Sequence, residues 1–316
     1  MVQWASNVAD IVGHTPLIEL KHFVEQAEGS VATVLAKLEM FNPSGSSKDR
    51  VALQMVIEAE SQGLLRVGST ITEPTSGNMG LALAVIAAAR GYHCTLTMPD
   101  TVSLERRLLL QRLGAQVILT PAAQGMRGAI NKVIELRTTL PHTWYPQQFY
   151  NQANPRAHRE HTAEEIWEQS AGLVDIVVIG VGTGGTLTGL AEGLRAHKPS
   201  IEIVAVEPAT CALLSGGRPG PHRIEGLGSG FIPDTLRVDL IDRIIPVSDQ
   251  QAVETAIALM KAEGLSIGIS SGAVAWASMQ EARKEQNRGK VIVAIFPSGA
   301  ERYLQTILFD DLRGRS

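Results

Sequence analysis

The stretch Val174-Asp-Ile-Val-Val-Ile-Gly-Val-Gly-Thr-Gly-Gly-Thr-Leu-Thr-Gly189 joins an apolar strand to a helix through a glycine-rich loop. The strand is apolar enough to lie at the centre of a parallel sheet. A strand, a glycine loop and a helix in this order aim backbone N–H groups at a phosphate. Segment 174–189 therefore predicts a parallel α/β sheet with an anion site in the loop.

Similar strand and helix patterns alternate along the rest of the chain. Strands are predicted at 34–39, 70–73, 92–98, 116–120, 174–179, 201–206, 243–247 and 290–296, and helices at 48–61, 79–90, 103–113, 126–138, 159–170, 186–197, 249–263 and 273–285. This alternation predicts an α/β fold of two doubly wound lobes with mainly parallel sheets. The polar segment 139–158 interrupts the pattern, so we expect domains at 1–150 and 151–316.

The composition is that of an ordinary globular protein, with 316 residues and 44% hydrophobic side chains. The net charge of −4 offers no basic field for nucleic acid. No apolar run approaches membrane-spanning length, and the start Met1–Asn7 shows no secretory signal. Cys94 and Cys211 have no metal-binding spacing. We therefore expect a cytoplasmic protein that binds neither nucleic acid nor membrane.

Lys48 ends the small-residue loop Asn42-Pro-Ser-Gly-Ser-Ser-Lys48 and opens the helix predicted at 48–61. A lone lysine is usually a solvated surface charge. At a helix N-terminus, however, the positive end of the dipole favours the neutral amine. A neutral, positioned amine is what Schiff-base chemistry requires. Lys48 is therefore the candidate catalytic residue.

The glycines of the 180–185 loop also satisfy the dinucleotide pattern G-x-G-x-x-G, and Glu207 follows at the end of the next strand. This combination keeps an NAD-dependent oxidoreductase as an alternative. The hydroxyls of Thr183, Thr186 and Thr188 instead suit a terminal phosphate with three oxygens. Both interpretations remain open on the residues alone.

Two further loops carry hydroxyl and amide groups at helix starts. Thr75, Ser76 and Asn78 follow a strand and precede the helix at 79–90, where they either cap the helix or bind a carboxylate. Ser270, in the loop predicted at 264–272, is typical of a capped helix start. The histidines show no metal-binding cluster.

The chain resembles the cysteine synthases, or O-acetylserine sulfhydrylases, of the fold-type II pyridoxal-phosphate enzymes, which are similar to the tryptophan synthase β chain. The resemblance runs from Gly13 to about Leu312. It rests on Gly13-His-Thr-Pro-Leu17, Asn42–Arg50, Glu73-Pro-Thr-Ser-Gly-Asn78, Thr97-Met-Pro99, Glu105-Arg-Arg107, Gln147-Gln-Phe149, Gly182-Thr-Gly-Gly-Thr186, Pro219-Gly-Pro-His222, Gly226–Pro233 and Gly268-Ile-Ser-Ser-Gly272.

The resemblance implies pyridoxal 5′-phosphate as the cofactor and gives each motif a role. Lys48 would bind the cofactor covalently and later move the substrate's α-proton. The cofactor phosphate would be held by Gly182, Thr183, Gly184, Gly185 and Thr186. Asn78 would face the ring's 3′ oxygen, and Ser270 would bond the pyridine nitrogen. A neutral partner at that nitrogen makes the ring a weaker electron sink, which suits β-elimination.

The resemblance also implies a substrate site and partners. The substrate-binding residues would be Thr75, Ser76, Gly77, Met79, Gln148 and Gly226. Binding there would close the mobile N-terminal lobe, while the first 35 or so residues would pack on the other lobe. A homodimer is implied, as is docking of a serine acetyltransferase C-terminal tail.

Met79, Ile179, Tyr150 and Gln152 depart from the usual cysteine synthase residues. Plant β-cyanoalanine synthases similar to this family carry Met at the position of Met79. Our leading hypothesis is L-cysteine synthesis from O-acetyl-L-serine and sulfide through an aminoacrylate. The alternatives are β-cyanoalanine synthesis from cysteine and cyanide, an NAD-dependent oxidoreductase and a non-catalytic binding homologue.

Overall fold

The chain forms two compact units in a computed structural model that describes residues 4–26, 28–140 and 142–313. Unit 1 comprises residues 4–13 and 42–154, and unit 2 comprises 14–41 and 155–313. Pro141 lies in the polar segment predicted to interrupt the pattern and is outside the described residues. So are residues 1–3 and 314–316, at the ends of the two predicted domains.

Ten strands and eleven α-helices are assigned within the described residues. The strands are β1 (Leu17–Glu19), β2 (Thr33–Leu38), β3 (Thr70–Pro74), β4 (His93–Pro99), β5 (Gln116–Thr120), β6 (Thr143–Trp144), β7 (Val174–Gly180), β8 (Glu202–Pro208), β9 (Arg243–Val247) and β10 (Val291–Phe296). The helices are α1 (Lys21–Gln26), α2 (Lys48–Ser61), α3 (Asn78–Arg90), α4 (Leu104–Arg112), α5 (Gly125–Thr139), α6 (Ala153–Ala157), α7 (Ala163–Gln169), α8 (Gly185–His197), α9 (Asp249–Glu263), α10 (Ile269–Ala282) and α11 (Asp310–Arg313).

Unit 1 is built on a four-stranded parallel sheet in the order β5-β4-β3-β6. Successive side chains of a strand point to opposite faces. Leu96 and Met98 of β4 accordingly join the apolar core formed with α2 and α3. Thr97, on the other face, donates a hydrogen bond of 2.7 Å to the Ala129 carbonyl of α5. Helices therefore cover both faces of this sheet.

Unit 2 contains a six-stranded sheet in the order β1-β2-β10-β7-β8-β9, in which only β1 runs antiparallel to its neighbour. Ile176 and Val178 of β7 pack in one core with α9 and α10. Val177 and Ile179 pack on the opposite face with α8. The predicted α/β class with mainly parallel, doubly wound sheets is confirmed.

The predicted elements differ from the structure mainly at two helices. The helix predicted at 159–170 is preceded by α6 and begins with a π-helical turn at His158–Thr162. The helix predicted at 273–285 occupies 269–282, because Gly268 serves as its N-cap. The short strands β1 and β6 were not predicted, since two or three residues show no periodicity.

Candidate active site

The loop before α2 is closed by Asp49, the residue directly after Lys48. The Ser44 backbone N–H donates to the Asp49 carboxylate over 2.5 Å, and the Ser44 hydroxyl bonds its other oxygen. Gly45 has φ of +81°, a conformation that favours glycine. Hydrogen bonds to a charged acceptor are stronger than neutral ones. This buried clamp therefore fixes the point at which α2 begins, and with it the position of Lys48.

Lys48 is the first residue of α2, and its backbone N–H donates to the Ser46 hydroxyl over 3.3 Å. Burial lowers the pKa of the Lys48 amine from 10.5 to about 8. A low-dielectric environment disfavours the charged form of an amine. The direction agrees with the predicted shift toward the neutral amine, and burial is its cause.

Thr75, Ser76 and Asn78 lie between the end of β3 and the first turn of α3, a segment that we call the asparagine loop (residues 75–78). Gly77 is the N-cap of α3 and has no side chain with which to cap the helix. The Thr75 hydroxyl accepts the Gly77 N–H over 3.2 Å, within the turn that precedes the helix. Neither Thr75 nor Ser76 thus occupies the N-cap position, which favours the binding interpretation over the capping one.

Met79 and Gln148 belong to the same unit as the asparagine loop. The Met79 side chain is 1% exposed and packs in the core of unit 1, so Met79 offers a ligand its backbone N–H only. Gln148 is buried after β6, where its carbonyl accepts the Asn154 side-chain amide over 2.8 Å. The carboxyl group of Glu73, for which the sequence indicated no role, accepts the Gln148 N–H over 3.4 Å.

The phosphate loop predicted at 182–186 connects β7 to α8 in unit 2. A Cβ at Gly182 would lie 2.1 Å from the Gly226 carbonyl oxygen, and one at Gly184 would lie 2.4 Å from Leu236 Cβ. Gly184, with φ of +82°, is the N-cap of α8 and has no side chain with which to cap the helix. Only glycine fits at these positions, so the backbone of the loop lies at the start of α8 without a capping side chain at the N-cap.

The threonines of this loop have separate roles. The Thr188 hydroxyl donates to the Thr235 carbonyl over 2.8 Å and accepts the Arg237 N–H over 2.9 Å. The prediction that the Thr188 hydroxyl serves a terminal phosphate is therefore wrong. The Thr186 hydroxyl lies 3.2 Å from Nε2 of the buried His158. His158 thus orients Thr186, a role the sequence did not reveal.

Ser270 lies in the first turn of α10, after the N-cap Gly268, and is 2% exposed. Because the N-cap is the glycine, Ser270 is not the N-cap residue of this helix. A Cβ at Gly268 would lie 2.5 Å from the Tyr303 ring, which explains the glycine. The neighbouring Ser271 hydroxyl is buried and finds no partner among the described residues.

Glu207 follows the dinucleotide pattern at the end of β8, but its carboxylate is engaged within its own loop. It accepts the backbone N–H groups of Leu214 over 2.8 Å and Ser215 over 3.0 Å, and the Ser215 hydroxyl over 2.6 Å. The acid that would bind a ribose hydroxyl is therefore already hydrogen-bonded, which argues against an NAD site.

Metal and thiol chemistry find no support in the described part of the chain. It holds no group of three or more His, Cys, Asp or Glu side chains that could bind a metal. Cys94 and Cys211 are both buried, and burial raises the pKa of Cys94 to about 12. None of the helices in the described ranges is long and apolar enough to cross a membrane.

The pKa of Lys48 gives a first testable prediction. At pH 7 about a tenth of an amine with a pKa of about 8 is neutral, against less than roughly one in a thousand for an ordinary lysine. In protein freed of bound ligands, competitive acetylation followed by peptide mass spectrometry should give half-maximal Lys48 reactivity near pH 8. Half-maximal reactivity of Lys48 only above pH 10, as for an ordinary lysine, would contradict the assignment.

Known proteins are similar to this chain over most of its length. The family model described as "Pyridoxal-phosphate dependent enzyme" matches residues 8–298. A cysteine synthase of Staphylococcus aureus (strain Mu50) is 48% identical over 309 residues, which cover 96% of this chain and 98% of the relative.

Solved structures give the same result. A cysteine synthase (OASS) of Entamoeba histolytica superposes with a TM-score of 0.94 and 44% identity, covering 97% of this chain and 91% of that one. An O-ureido-L-serine synthase superposes with a TM-score of 0.93 and 40% identity, covering 98% and 96%. The chain belongs to the family of pyridoxal-phosphate dependent enzymes.

Proposed function

We propose that this enzyme makes L-cysteine from O-acetyl-L-serine and sulfide, releasing acetate, with pyridoxal phosphate as its cofactor. The observation that carries the proposal is the Lys48 amine, whose pKa of about 8 is set by burial on a loop clamped by Asp49. An amine of this kind serves both as nucleophile toward the cofactor's carbonyl carbon and as a base. The cysteine synthases among its relatives support the choice of reaction.

The residues of unit 2 fit the cofactor's phosphate. Gly182 and Gly184 leave no space for a side chain, and α8 begins at a glycine N-cap, which has no side chain to cap its first turn. Helix N-termini of this kind bind phosphate. In the proposal Thr183, Gly185 and Thr186 complete the phosphate site.

Two further residues would hold the ring of the cofactor. Asn78 would face the 3′ oxygen, and Ser270, buried in the first turn of α10, would bond the pyridine nitrogen. When bound, pyridoxal phosphate withdraws electrons from the substrate's α-carbon, which permits acetate to leave the β-carbon. A neutral hydroxyl at the nitrogen moderates this withdrawal and favours elimination over transamination.

Unit 1 supplies a site for the substrate's carboxylate. The asparagine loop presents the hydroxyls of Thr75 and Ser76 and the backbone N–H group of Met79 at the positive end of α3, where Gly77 is the N-cap. Gln148 adds a side-chain amide from the same unit, and we propose Gly226 as a further substrate contact from unit 2. With the carboxylate held, Lys48 takes the α-proton and sulfide adds to the carbon that acetate leaves.

The structure gives no reason to prefer cyanide over sulfide. Met79 and Ile179, which suggested β-cyanoalanine synthesis, are each 1% exposed and pack in the apolar cores of their own units. The Tyr150 side chain, in contrast, is 55% exposed. Its backbone N–H donates to the Gln147 carbonyl in a turn. The residues that depart from the usual pattern thus fill cores or lie at the surface.

We further propose a cytoplasmic homodimer that can dock the C-terminal tail of a serine acetyltransferase. Large apolar side chains on α4 and α5 are exposed in the single chain, which supports association with a second copy. They are Leu104, Leu108, Leu109, Met126, Ile130 and Ile134. A peptide's terminal carboxylate carries the same group as the substrate, so the asparagine loop would receive it.

Activity assays on the purified enzyme test the proposed reaction. O-acetylserine with sulfide should be turned over faster than cysteine with cyanide, and Lys48→Ala should abolish both reactions. Met79→Thr should lower the free energy of unfolding by about 2–4 kcal/mol and leave the ratio of the two rates within about threefold, because the side chain lies in the core. A tenfold change of that ratio would show that Met79 selects the nucleophile.

A single methyl group tests the phosphate site. Gly182→Ala places a Cβ 2.1 Å from the Gly226 carbonyl oxygen, so the loop must shift. We expect the affinity for pyridoxal phosphate, titrated by visible absorbance, to fall at least about tenfold. Gly77→Ala is the matched control, since a Cβ there meets no atom within 4 Å. Equal affinity in both variants and the wild type would exclude this loop as the phosphate site.

A further inference from the structure

Glu73 is a buried acid directly before the asparagine loop, and it is only 2% exposed. Its oxygens accept two consecutive backbone N–H groups, from Gln147 to Oε2 over 3.1 Å and from Gln148 to Oε1 over 3.4 Å. The side-chain amide of Gln148 lies near the same carboxyl group and lowers its pKa. One carboxyl group therefore holds the backbone of Gln148 and lies beside its side-chain amide.

The sheet of unit 1 explains why a side chain is needed here. β6 contributes only Thr143 and Trp144, which pair with Thr70 and Ile71 of β3. The ladder between these two strands ends there, before Glu73. Backbone N–H groups that are buried must find a hydrogen-bond partner. In the segment that follows β6, the carboxyl group of Glu73 accepts backbone N–H groups that no neighbouring strand pairs.

The backbone at Gln147 is shaped to fit this arrangement. Gln147 has φ of +60°, in the left-handed region that few residues other than glycine adopt. Successive N–H groups in such a turn converge on one acceptor. As a result the Gln147 side chain is exposed, whereas Gln148 is buried. Strained backbone conformations persist where the surroundings hold them and cluster at functional sites.

We propose that Glu73 is a positioning residue that holds Gln148 ready for the carboxylate of the amino-acid substrate. This inference rests on the proposed function, in which Gln148 is part of the carboxylate site. A side-chain amide has two N–H donors. Glu73 takes one of them and orients the second toward the incoming carboxylate.

The charge state of Glu73 is compatible with this role. Burial raises the pKa of Glu73 to about 8, against the opposing effect of its hydrogen bonds to Gln147 and Gln148. The group is therefore mainly neutral at pH 7. The nearby Tyr145, whose pKa is also raised by burial, is neutral as well. A substrate carboxylate thus meets no fixed negative charge from these two groups.

The test compares steady-state kinetics of holoenzyme variants. Glu73→Gln replaces one acceptor oxygen by an NH₂ group that faces a backbone N–H. We expect the KM for O-acetylserine to rise about tenfold or more, with kcat and the KM for sulfide within about threefold of the wild type. The visible absorbance band of the bound cofactor and its affinity should not change.

Two controls separate positioning from general stability. Glu60→Gln removes another carboxylate of unit 1, which accepts from Arg90 over 2.7 Å and from Tyr92 over 2.8 Å. This variant should keep the wild-type KM. In a Gln148→Ala background, adding Glu73→Gln should change the KM no further, because Glu73 acts through Gln148.

The outcomes distinguish the inference from the proposed function. If the wild-type enzyme makes no cysteine, the proposed function itself is wrong. If the wild type is active but Glu73→Gln keeps its KM for O-acetylserine, the inference is wrong. It is also wrong if both KM values and the absorbance band change together. Should Glu73→Gln fail to fold, Glu73→Asp, which shortens the side chain by one methylene, must show the same selective rise.

Discussion

The first turn of a helix leaves backbone N–H groups without partners inside the helix, and this constraint organises the candidate active site. In α3, α8 and α10 the N-cap is a glycine, respectively Gly77, Gly184 and Gly268, and no side chain caps the helix. Ser103 and Ser248 cap α4 and α9, which carry none of the proposed site residues. Most of the proposed substrate and cofactor residues thus occur where the N-cap of a helix is glycine, whereas Gln148 and Gly226 lie in other loops.

A second constraint holds the loops around these helix ends in place. Asp49, Glu73 and Glu207 are buried acids that each accept hydrogen bonds from a nearby loop. Acidic side chains buried in this way usually need several donors to offset the loss of water. The three acids therefore stiffen the segments that carry Lys48, Gln148 and the turn after β8. Their role is to fix backbone, and none of them needs to touch a ligand.

The sequence predicted the elements well because periodicity reports which face of a strand or helix is buried. It also predicted that Lys48 begins a helix, since a small-residue loop before an amphipathic helix is a local signal. It could not predict what Glu73 does, because Gln147 and Gln148 lie more than 70 positions further along the chain. A charged residue in the otherwise uncharged strand 70–73 was the only hint. The Thr188 hydroxyl was misjudged, and the burial of the Met79 side chain was not foreseen, for a related reason: a residue's type does not tell whether its side chain faces a ligand or the core.

The central claim is that Lys48 carries the cofactor, and the position of the covalent bond tests it most directly. Borohydride reduction of the holoenzyme makes the link between cofactor and amine permanent. Tryptic digestion and mass spectrometry should then find the pyridoxyl group on the peptide 38–50, at Lys48. A pyridoxyl group on another lysine, or none in an enzyme that synthesises cysteine, would contradict the account.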